Sequence, residues 1–352
     1  MTWYCPASCW IVWNEARQLR IYAILPLICL LWFSAAPAAT FESQGGTLIV
    51  VVAGADSVVL VDPAHPSDLQ RIQTRKHPQD VVLSPDAKLA YIAEMGTMAE
   101  PGSTVAVLEL QSRTIVRRLE LRPATLPHLL VLSRDGRTLW AACAPQNTIV
   151  EVDIPSGTVR HMWDTQQKGS YLFAVPPDEK RIYVANFDEG TASVIYRSGG
   201  ITKVLPIGGQ PIGIDASPDG REVWVCSFHA NTITIISTTS DEIVQQIPAA
   251  GRDPARLKFT ADGKQVYVAM SASDELVGFD VVTRHVVRRI TTGKFSKGLL
   301  ILPDARRAFV SAMDEGRVAD VDLTSGRVSQ WITTGNAPEG SVWVANSGRK
   351  GR

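Results

Sequence analysis

Short apolar runs alternate with polar turns from about residue 46 to the C-terminal end of the chain. The runs have the length and the alternation of β-strands, and none shows the 3.6-residue period of a helix. The turns between them carry Asp, Gly, Asn and Pro, which favour tight chain reversal. The pattern therefore predicts an all-β domain of short strands. One unit of it has its runs at 212–216, 222–227, 232–237 and 242–247.

A single unit recurs along this pattern: a turn of the Ser-Pro-Asp-Gly type, followed by a strand that begins with an aromatic residue. Successive turn aspartates are 49, 43, 41, 43 and 42 residues apart, and a period of about 40–45 residues is typical of a β-propeller blade. We interpret the aspartates as turn formers and expect the aromatic residues to pack between blades. The aspartates are Asp86, Asp135, Asp178, Asp219, Asp262 and Asp304, and the aromatic residues are Tyr91, Trp140, Tyr183, Trp224, Tyr267 and Phe309.

The two ends of the repeat region complete each other. Strands predicted at 47–54, 57–62 and 69–74 lack an inner strand, whereas the last strand, near 338–346, lacks its outer partners. Pairing them removes the exposed sheet edge of an open ring. We therefore predict one seven-bladed β-propeller over residues 39–352, closed by N-terminal outer strands and a C-terminal inner strand. The seven inner strands are introduced by Pro78, Pro127, Ser170, Pro211, Pro254, Ser296 and Pro338.

The N-terminal segment has the features of an export signal. Arg17 and Arg20 precede an apolar run at 21–33, and Ala36 and Ala38 form an A-x-A site behind it. The run is shorter than the roughly 20 residues of a membrane-spanning helix. We predict that residues 1–38 are a signal peptide, with an uncleaved anchor as the alternative, and that the protein is periplasmic or secreted.

The amino-acid composition and the net charge exclude few classes of function. The chain has 35 basic and 35 acidic residues, so no overall field favours nucleic acid, and none is expected as a partner. Of the cysteines, Cys143 and Cys226 remain after signal removal and lie in different repeats, where we expect buried free thiols. No C-x-x-C pair or zinc-ligand spacing occurs.

The motif Tyr183-Val184-Ala185-Asn186, with a weaker copy at Trp343-Val344-Ala345-Asn346, resembles the YVTN-type β-propeller family, which includes the YncE-like periplasmic proteins. The resemblance covers residues 46–350. It implies an exported seven-bladed propeller, in most members without an assigned reaction. Propellers of the same architecture include lactonase-like enzymes, haem d1 domains and quinoprotein subunits, but fold alone does not transfer their activities.

The residues around the predicted inner-strand starts carry most of the candidate chemistry. Repeat symmetry places them around one mouth of the central channel, where several cations would focus the field on an anion. Tyr171 and Phe295 could stack on a planar ligand there, and a solvated rim is the alternative. The predicted ligand-binding residues are Lys76, His77, His128, Lys168, Tyr171, Arg252, Arg256, Lys294 and Lys297.

Catalysis is not expected, since no nucleophile elbow and no Ser/His/Asp order can be assigned. We predict a monomeric, non-catalytic binding scaffold without a cofactor, whose partner is a protein or an anionic small molecule. The alternatives are a metal-assisted lactonase-like hydrolase, using Asp80, Asp253 and Glu339, and an accessory protein of a haem d1 or quinoprotein-like redox cofactor. For these, His77 and His128 would be the candidate ligands.

Overall fold

The computed structural model describes residues 45–346, and its strands form seven four-stranded antiparallel sheets. The innermost strand of each sheet contacts those of both neighbouring sheets, so the sheets close into a ring around a central channel. The predicted seven-bladed β-propeller is therefore confirmed. The predicted signal peptide lies outside the described residues, as does the predicted domain start at residue 39. Within the described part, no helix has the length and apolarity needed to cross a membrane.

The strands are numbered in chain order. Blade 1 consists of β1 (Gly46–Val52), β2 (Ser57–Val61), β3 (Leu69–Gln73) and β28 (Pro338–Ala345). Blades 2 to 4 consist of β4 (Pro78–Leu83), β5 (Leu89–Gly96), β6 (Pro101–Glu109), β7 (Thr114–Glu120), β8 (Pro127–Leu132), β9 (Thr138–Cys143), β10 (Thr148–Asp153), β11 (Thr158–Asp164), β12 (Ser170–Ala174), β13 (Arg181–Asn186), β14 (Thr191–Tyr196) and β15 (Gly200–Pro206). Blades 5 to 7 consist of β16 (Gln210–Ala216), β17 (Glu222–Phe228), β18 (Thr232–Ser237), β19 (Glu242–Pro248), β20 (Pro254–Phe259), β21 (Gln265–Met270), β22 (Glu275–Asp280), β23 (Val286–Thr291), β24 (Ser296–Ile301), β25 (Arg307–Ala312), β26 (Arg317–Asp322) and β27 (Arg327–Thr333). Short 3-10 turns cover Ala53–Ala55, Ala144–Gln146 and Met313–Glu315.

Blade 1 closes the ring as expected. Strand β28 pairs antiparallel with β1, with Leu48 opposite Trp343 and Val50 opposite Ser341. The last described strand thus lies innermost in the blade that the first three strands begin. The chain ends are held by backbone hydrogen bonds within one sheet and not by a separate contact.

The core lies between blades, where the strand faces pack on one another. Residues of β1 and β2 pack against β25 and β26 on one side of blade 1 and against β4 to β6 on the other. The six aromatic side chains predicted to pack between blades are all at most 2% exposed, which confirms the prediction. Burying one large apolar side chain contributes roughly 2–3 kcal/mol. The blades therefore stabilise one another around the whole ring.

The turn aspartates act as predicted. The Asp86 carboxylate accepts hydrogen bonds from the Ser84 hydroxyl and the Lys88 N–H. The hydroxyl bond is the main reason why the pKa of Asp86 lies below its usual value. The same Ser or Thr contact lowers the carboxyl pKa in three more turns, those of Asp135, Asp219 and Asp262.

The two cysteines are free and buried, as expected. Burial raises the pKa of both the Cys143 and the Cys226 thiol to about 12. Both groups are therefore neutral, unreactive core side chains near neutral pH.

Candidate functional site

The channel mouth is shaped by backbone at the start of the inner strands. In all seven blades the residue directly before the inner strand has a left-handed conformation, with φ between 50° and 79°. Most of these are not glycine, and such residues adopt this conformation only where surrounding contacts hold them. The seven residues are His77, Leu126, Gly169, Gly209, Asp253, Phe295 and Ala337.

A hydrogen bond from the preceding blade holds four of these turns. In each case, an Asp or Asn that precedes the third strand accepts the N–H of the left-handed residue in the next blade. We call this contact the Asx latch. Its donor–acceptor pairs are His77 to Asp56 (2.8 Å), Gly169 to Asn147 (3.1 Å), Asp253 to Asn231 (2.7 Å) and Phe295 to Asp274 (3.0 Å).

Removing one latch should destabilise the mouth measurably. Asn231 is itself left-handed, with φ of 55°, so Asn231→Ala both deletes the bond to Asp253 and strains the backbone. We expect a loss of about 2–3 kcal/mol in the free energy of unfolding in urea. Asn231→Gly is the matched control, because it deletes the bond without the strain and should lose only about 1 kcal/mol. Equal losses in the two variants would contradict this account of the backbone.

Three of the predicted ligand-binding residues converge on the throat of the channel, which we define as His77, His128 and Lys297, and a fourth, Arg256, lines the cavity below it. Burial holds the pKa of His128 well below its usual value, and the charges of Lys297, Arg256 and His77 lower it further. The His128 imidazole is therefore neutral near pH 7. Its Nδ1 atom is buried and has no hydrogen-bond partner in the described part of the chain.

The other predicted cations lie farther out and differ in their partners. Lys76 pairs with Glu100 at 2.6 Å on the surface, which raises its pKa through the hydrogen bond and the charge of that carboxylate. The Arg252 guanidinium donates to the Ala272 carbonyl at 2.9 Å. Lys168 and Lys294 are exposed, and neither side chain has a hydrogen-bond or ion-pair partner among residues 45–346.

An aromatic arc, consisting of His128, Tyr171, Phe187, Phe228 and His229, runs along the mouth across blades 3 to 5. The ring centroids of successive members are 5.4, 5.9, 6.5 and 4.5 Å apart. The three central rings are partly buried, and His229 is exposed. The arc therefore forms a continuous, accessible aromatic surface beside the channel.

Sequence reasoning found two members of this arc and missed its centre. Phe187 and Phe228 each lie four residues after the aromatic residue of the second strand, Tyr183 and Trp224, so they occupy the same position of the repeat. Other blades have Ala144, Ser271 or Met313 there. Alignment of the repeats by this position would have shown two adjacent aromatic residues. Phe295, the other predicted stacking residue, is exposed in blade 7 and does not belong to the arc.

A cation lies next to each end of the arc's central rings. The Phe187 N–H donates to the Gly169 carbonyl, which places this ring next to the loop that carries Lys168. At the other end, the His229 N–H donates to the carboxylate of Asp253, the neighbour of Arg252. The blade between them has Gly208 and Gly209 before its inner strand, so no side chain covers the arc from that position.

Carboxylates also lie on this face, in the loops between second and third strands. The rim around the channel mouth thus carries both positive and negative side chains. The position of each charge determines where an anion is attracted. Glu100 is paired with Lys76, Glu315 with Arg317, and Asp274 accepts the N–H of Phe295. The other acidic residues of these loops are Asp56, which accepts the His77 N–H, and Asp188, Glu189 and Asp314.

The three carboxylates considered for a hydrolase site, Asp80, Asp253 and Glu339, each contact a different partner. Asp253 contacts the His229 ring at 3.1 Å, and Glu339 pairs with Lys297 at 3.1 Å. Asp80 accepts the Leu130 N–H at 3.0 Å, and burial raises its pKa. No group of three His, Cys, Asp or Glu side chains within residues 45–346 could hold a metal ion.

Below the throat, the channel contains a cavity of about 370 Å³, lined by residues from all seven inner strands. Most of the lining is aliphatic or aromatic, including Leu129, Phe173 and Leu299. Its charged residues are Asp80, Arg256 and the ion pair between Lys258 and Asp215, whose atoms are 3.2 Å apart.

Curated relatives match parts of the chain. NirF of Pseudomonas aeruginosa is 29% identical over 155 residues, which is 42% of this chain and 40% of NirF. Antigen Lp49 of Leptospira interrogans is 22% identical over 229 residues, which is 58% of this chain and 50% of Lp49. The chain thus spans half or less of the length of these relatives.

Solved structures share the architecture at low identity. Hydrazine synthase of Kuenenia stuttgartiensis superposes with a TM-score of 0.70 at 18% identity, over 80% of this chain and 93% of that chain. The periplasmic gluconolactonase PpgL of Pseudomonas aeruginosa superposes with a TM-score of 0.69 at 16% identity, over 86% and 99% of the two chains. At these identities the likeness concerns the fold alone. Residues 113–307 match the family model of YncE-like β-propellers, and with its seven closed blades the chain belongs to the YncE-like β-propeller family.

Proposed function

We propose that this propeller is a non-catalytic scaffold that binds a planar, anionic ligand on the aromatic arc at its channel mouth. The arc would stack against the face of the ligand, and Lys168 and Arg252 would attract its negative charge. The observation that carries the proposal is the continuous arc of rings next to two loops that each present an exposed cation.

The arc suits a flat ligand for physical reasons. Aromatic rings offer large apolar area with little loss of side-chain freedom, and they prefer offset or edge contacts with other rings. Tyr171 and Phe187 meet at 90°, so a ligand that stacks on one ring meets the edge of the other. A flat aliphatic or a spherical ligand would use less of this surface.

Lys168 and Arg252 would orient the ligand more than they would raise its affinity. Both lie on the surface, where an exposed ion pair contributes at most about 1 kcal/mol and is weakened by salt. Neither Lys168 nor Arg252 forms a salt bridge with a carboxylate in residues 45–346. Binding of an anion therefore requires no existing ion pair to be broken.

Pyrene-1-sulfonate is a suitable probe, because it is planar, anionic and fluorescent. We expect it to bind the protein at low salt and to bind the Phe187→Ala/Phe228→Ala variant roughly ten- to a hundredfold more weakly, since both ring contacts are lost. Lys168→Gln and Arg252→Gln should each weaken binding about three- to fivefold. The matched control is Lys264→Gln, which removes an exposed lysine whose ammonium lies 3.9 Å from Asp262 in a turn at the other end of the inner strands.

The variants also separate a planar ligand from an acidic protein segment. A glutamate-rich peptide that loses affinity in the two charge variants, but not in the phenylalanine variant, would indicate an acidic partner and replace the proposal. Binding of pyrene-1-sulfonate that is the same in the wild type and in all arc and charge variants would overturn it.

The similar proteins support a binding scaffold but do not identify its ligand. Their names include a gluconolactonase and a hydrazine synthase, so this fold accommodates very different chemistry. Neither the lactonase-like nor the redox-accessory alternative is favoured by a specific feature of the described residues. Export of the chain also remains a proposal, because it depends on the segment before residue 45.

A further inference from the structure

Arg256 lies inside the channel without a partner. It is 8% exposed and lines the cavity below the throat. Its guanidinium has no hydrogen bond and no carboxylate within 4.0 Å in the described part of the chain. Arginine has five N–H donors in a fixed fork and stays protonated in proteins. The guanidinium nitrogens are not among the fully buried unpaired atoms of the described residues, so this mostly buried cation reaches the cavity with donors that the protein does not use.

The other charges around Arg256 are already engaged. Lys258 is paired with Asp215, whose other oxygen accepts the Phe259 N–H at 3.1 Å. Asp80 is the remaining carboxylate of the cavity, and it is held between neighbouring inner strands. One of its oxygens accepts the Leu130 N–H, and the other lies 2.4 Å from where a Cβ on Gly340 would be. Asp80 is thus held by the backbone of a neighbouring strand and forms no ion pair with Arg256 in the described part of the chain.

The throat above does not neutralise Arg256 either. Lys297 is paired with Glu339 at 3.1 Å, and His128 is neutral. His77, the remaining titratable group of the throat, carries a positive charge when it is protonated. The positive charge of Arg256 reaches this region, because it lowers the pKa of His128. The charge of Arg256 also opposes the rise in the pKa of Asp80 that burial causes, so this carboxylate offsets part of the positive potential, although the two groups form no ion pair within residues 45–346. The N–H donors of the guanidinium stay unused by the protein.

A charge removed from bulk water is unfavourable unless a counter-charge or hydrogen bonds replace its hydration. The cavity of about 370 Å³ leaves space beside the guanidinium for more than one water molecule. Its walls are mainly Leu, Val and Phe side chains, which offer water few hydrogen bonds. These walls suit a molecule with an apolar body.

We propose that the channel is a second binding site, which takes a small monocarboxylate with an apolar body, its carboxylate on Arg256 and its body against Leu129, Phe173 and Leu299. The planar carboxylate matches the guanidinium fork and can accept two parallel hydrogen bonds. The site contains no member of the aromatic arc, so it is independent of the ligand proposed for the mouth.

Isothermal titration with hexanoate and with hexanamide tests the site, because the two differ mainly in charge. We expect hexanoate to bind at least about tenfold more tightly than hexanamide, since hydrogen bonds between a guanidinium and a carboxylate are roughly twice as strong as those to a neutral acceptor. Arg256→Gln should reduce hexanoate to the level of hexanamide, and Arg256→Lys should keep part of the preference. Arg221→Gln, which removes an exposed arginine in the turn between the inner and second strands of blade 5, is the control.

Thermal unfolding without ligand checks that the variants are folded. Arg256→Gln removes no hydrogen bond and no ion pair, so the variant should still unfold cooperatively, although the buried Asp80 loses a nearby positive charge. Equal binding of hexanoate and hexanamide, or full retention of the hexanoate preference in folded Arg256→Gln, would overturn the proposal. Chloride that competes with hexanoate at equal concentration would do the same, since it would show a general anion site.

Discussion

A chain that ends at residue 337 should fail to form the ring. It lacks β28, which supplies the innermost strand of blade 1 and pairs along the length of β1. Its loss exposes the hydrogen-bonding edge of β1 and the buried apolar faces of β1 and β2. The lost contacts belong to two blade interfaces at once, so the expected loss is comparable to the whole stability of a domain, about 5–15 kcal/mol.

The measurement is soluble yield, followed by circular dichroism and urea unfolding of the purified chain. A chain ending at residue 346 is the matched control, since it retains every described strand, and it should unfold like the full protein. A peptide of residues 338–346 added to the shorter chain should restore part of the strand signal. A shorter chain that unfolds cooperatively at the same urea concentration as the control would show that the ring does not depend on this closure.

The second large effect is expected at a buried ion pair next to this closure. Asp320 is 2% exposed, and its two carboxylate oxygens accept hydrogen bonds from Arg307 at 2.6 and 2.5 Å. The Arg307 guanidinium also lies over the rings of Phe309 and Trp343. Asp320→Ala leaves this guanidinium buried and unpaired, so we expect a loss of about 3–5 kcal/mol in the free energy of unfolding.

The partner variant separates the ion pair from simple packing. Replacing both groups, as in Arg307→Met/Asp320→Leu, removes the unpaired charge together with the pair and should lose clearly less than Asp320→Ala. Urea unfolding followed by tryptophan fluorescence measures both. A double variant that is as unstable as Asp320→Ala would mean that side-chain shape, and not the buried charge, determines stability here.

Much of the architecture could be predicted because each blade repeats the same local chemistry. The third strand of blade 5 was predicted at 232–237 and is found at Thr232–Ser237. The inner strand of the same blade was predicted to begin at residue 212 but begins two residues earlier, at Gln210. The difference arises at the start, where Gln210 pairs with Phe228 before an irregularity in the register. Turns are encoded locally, but such bulges depend on the neighbouring strand.

The candidate site could be predicted only in part, because its pairings are formed between distant residues. Lys297 was predicted as a mouth cation, and its partner Glu339, 42 residues later, lies on the inner strand of the next blade. Arg256 was placed in the same group of cations, although it lines the interior of the channel. Sequence position indicated the end of the strand for both residues, but not the neighbour that each would meet.

The Asx latch limits which mouth loops of the propeller can be exchanged. The acceptor in one blade fixes the backbone of the mouth loop in the following blade, as Asn231 does for Asp253. A mouth loop taken from another propeller would therefore lack the Asp or Asn acceptor in the preceding blade that fixes its backbone. Successful exchange of binding loops, by design or by recombination, should take place in segments that begin before the third strand of one blade and end inside the next.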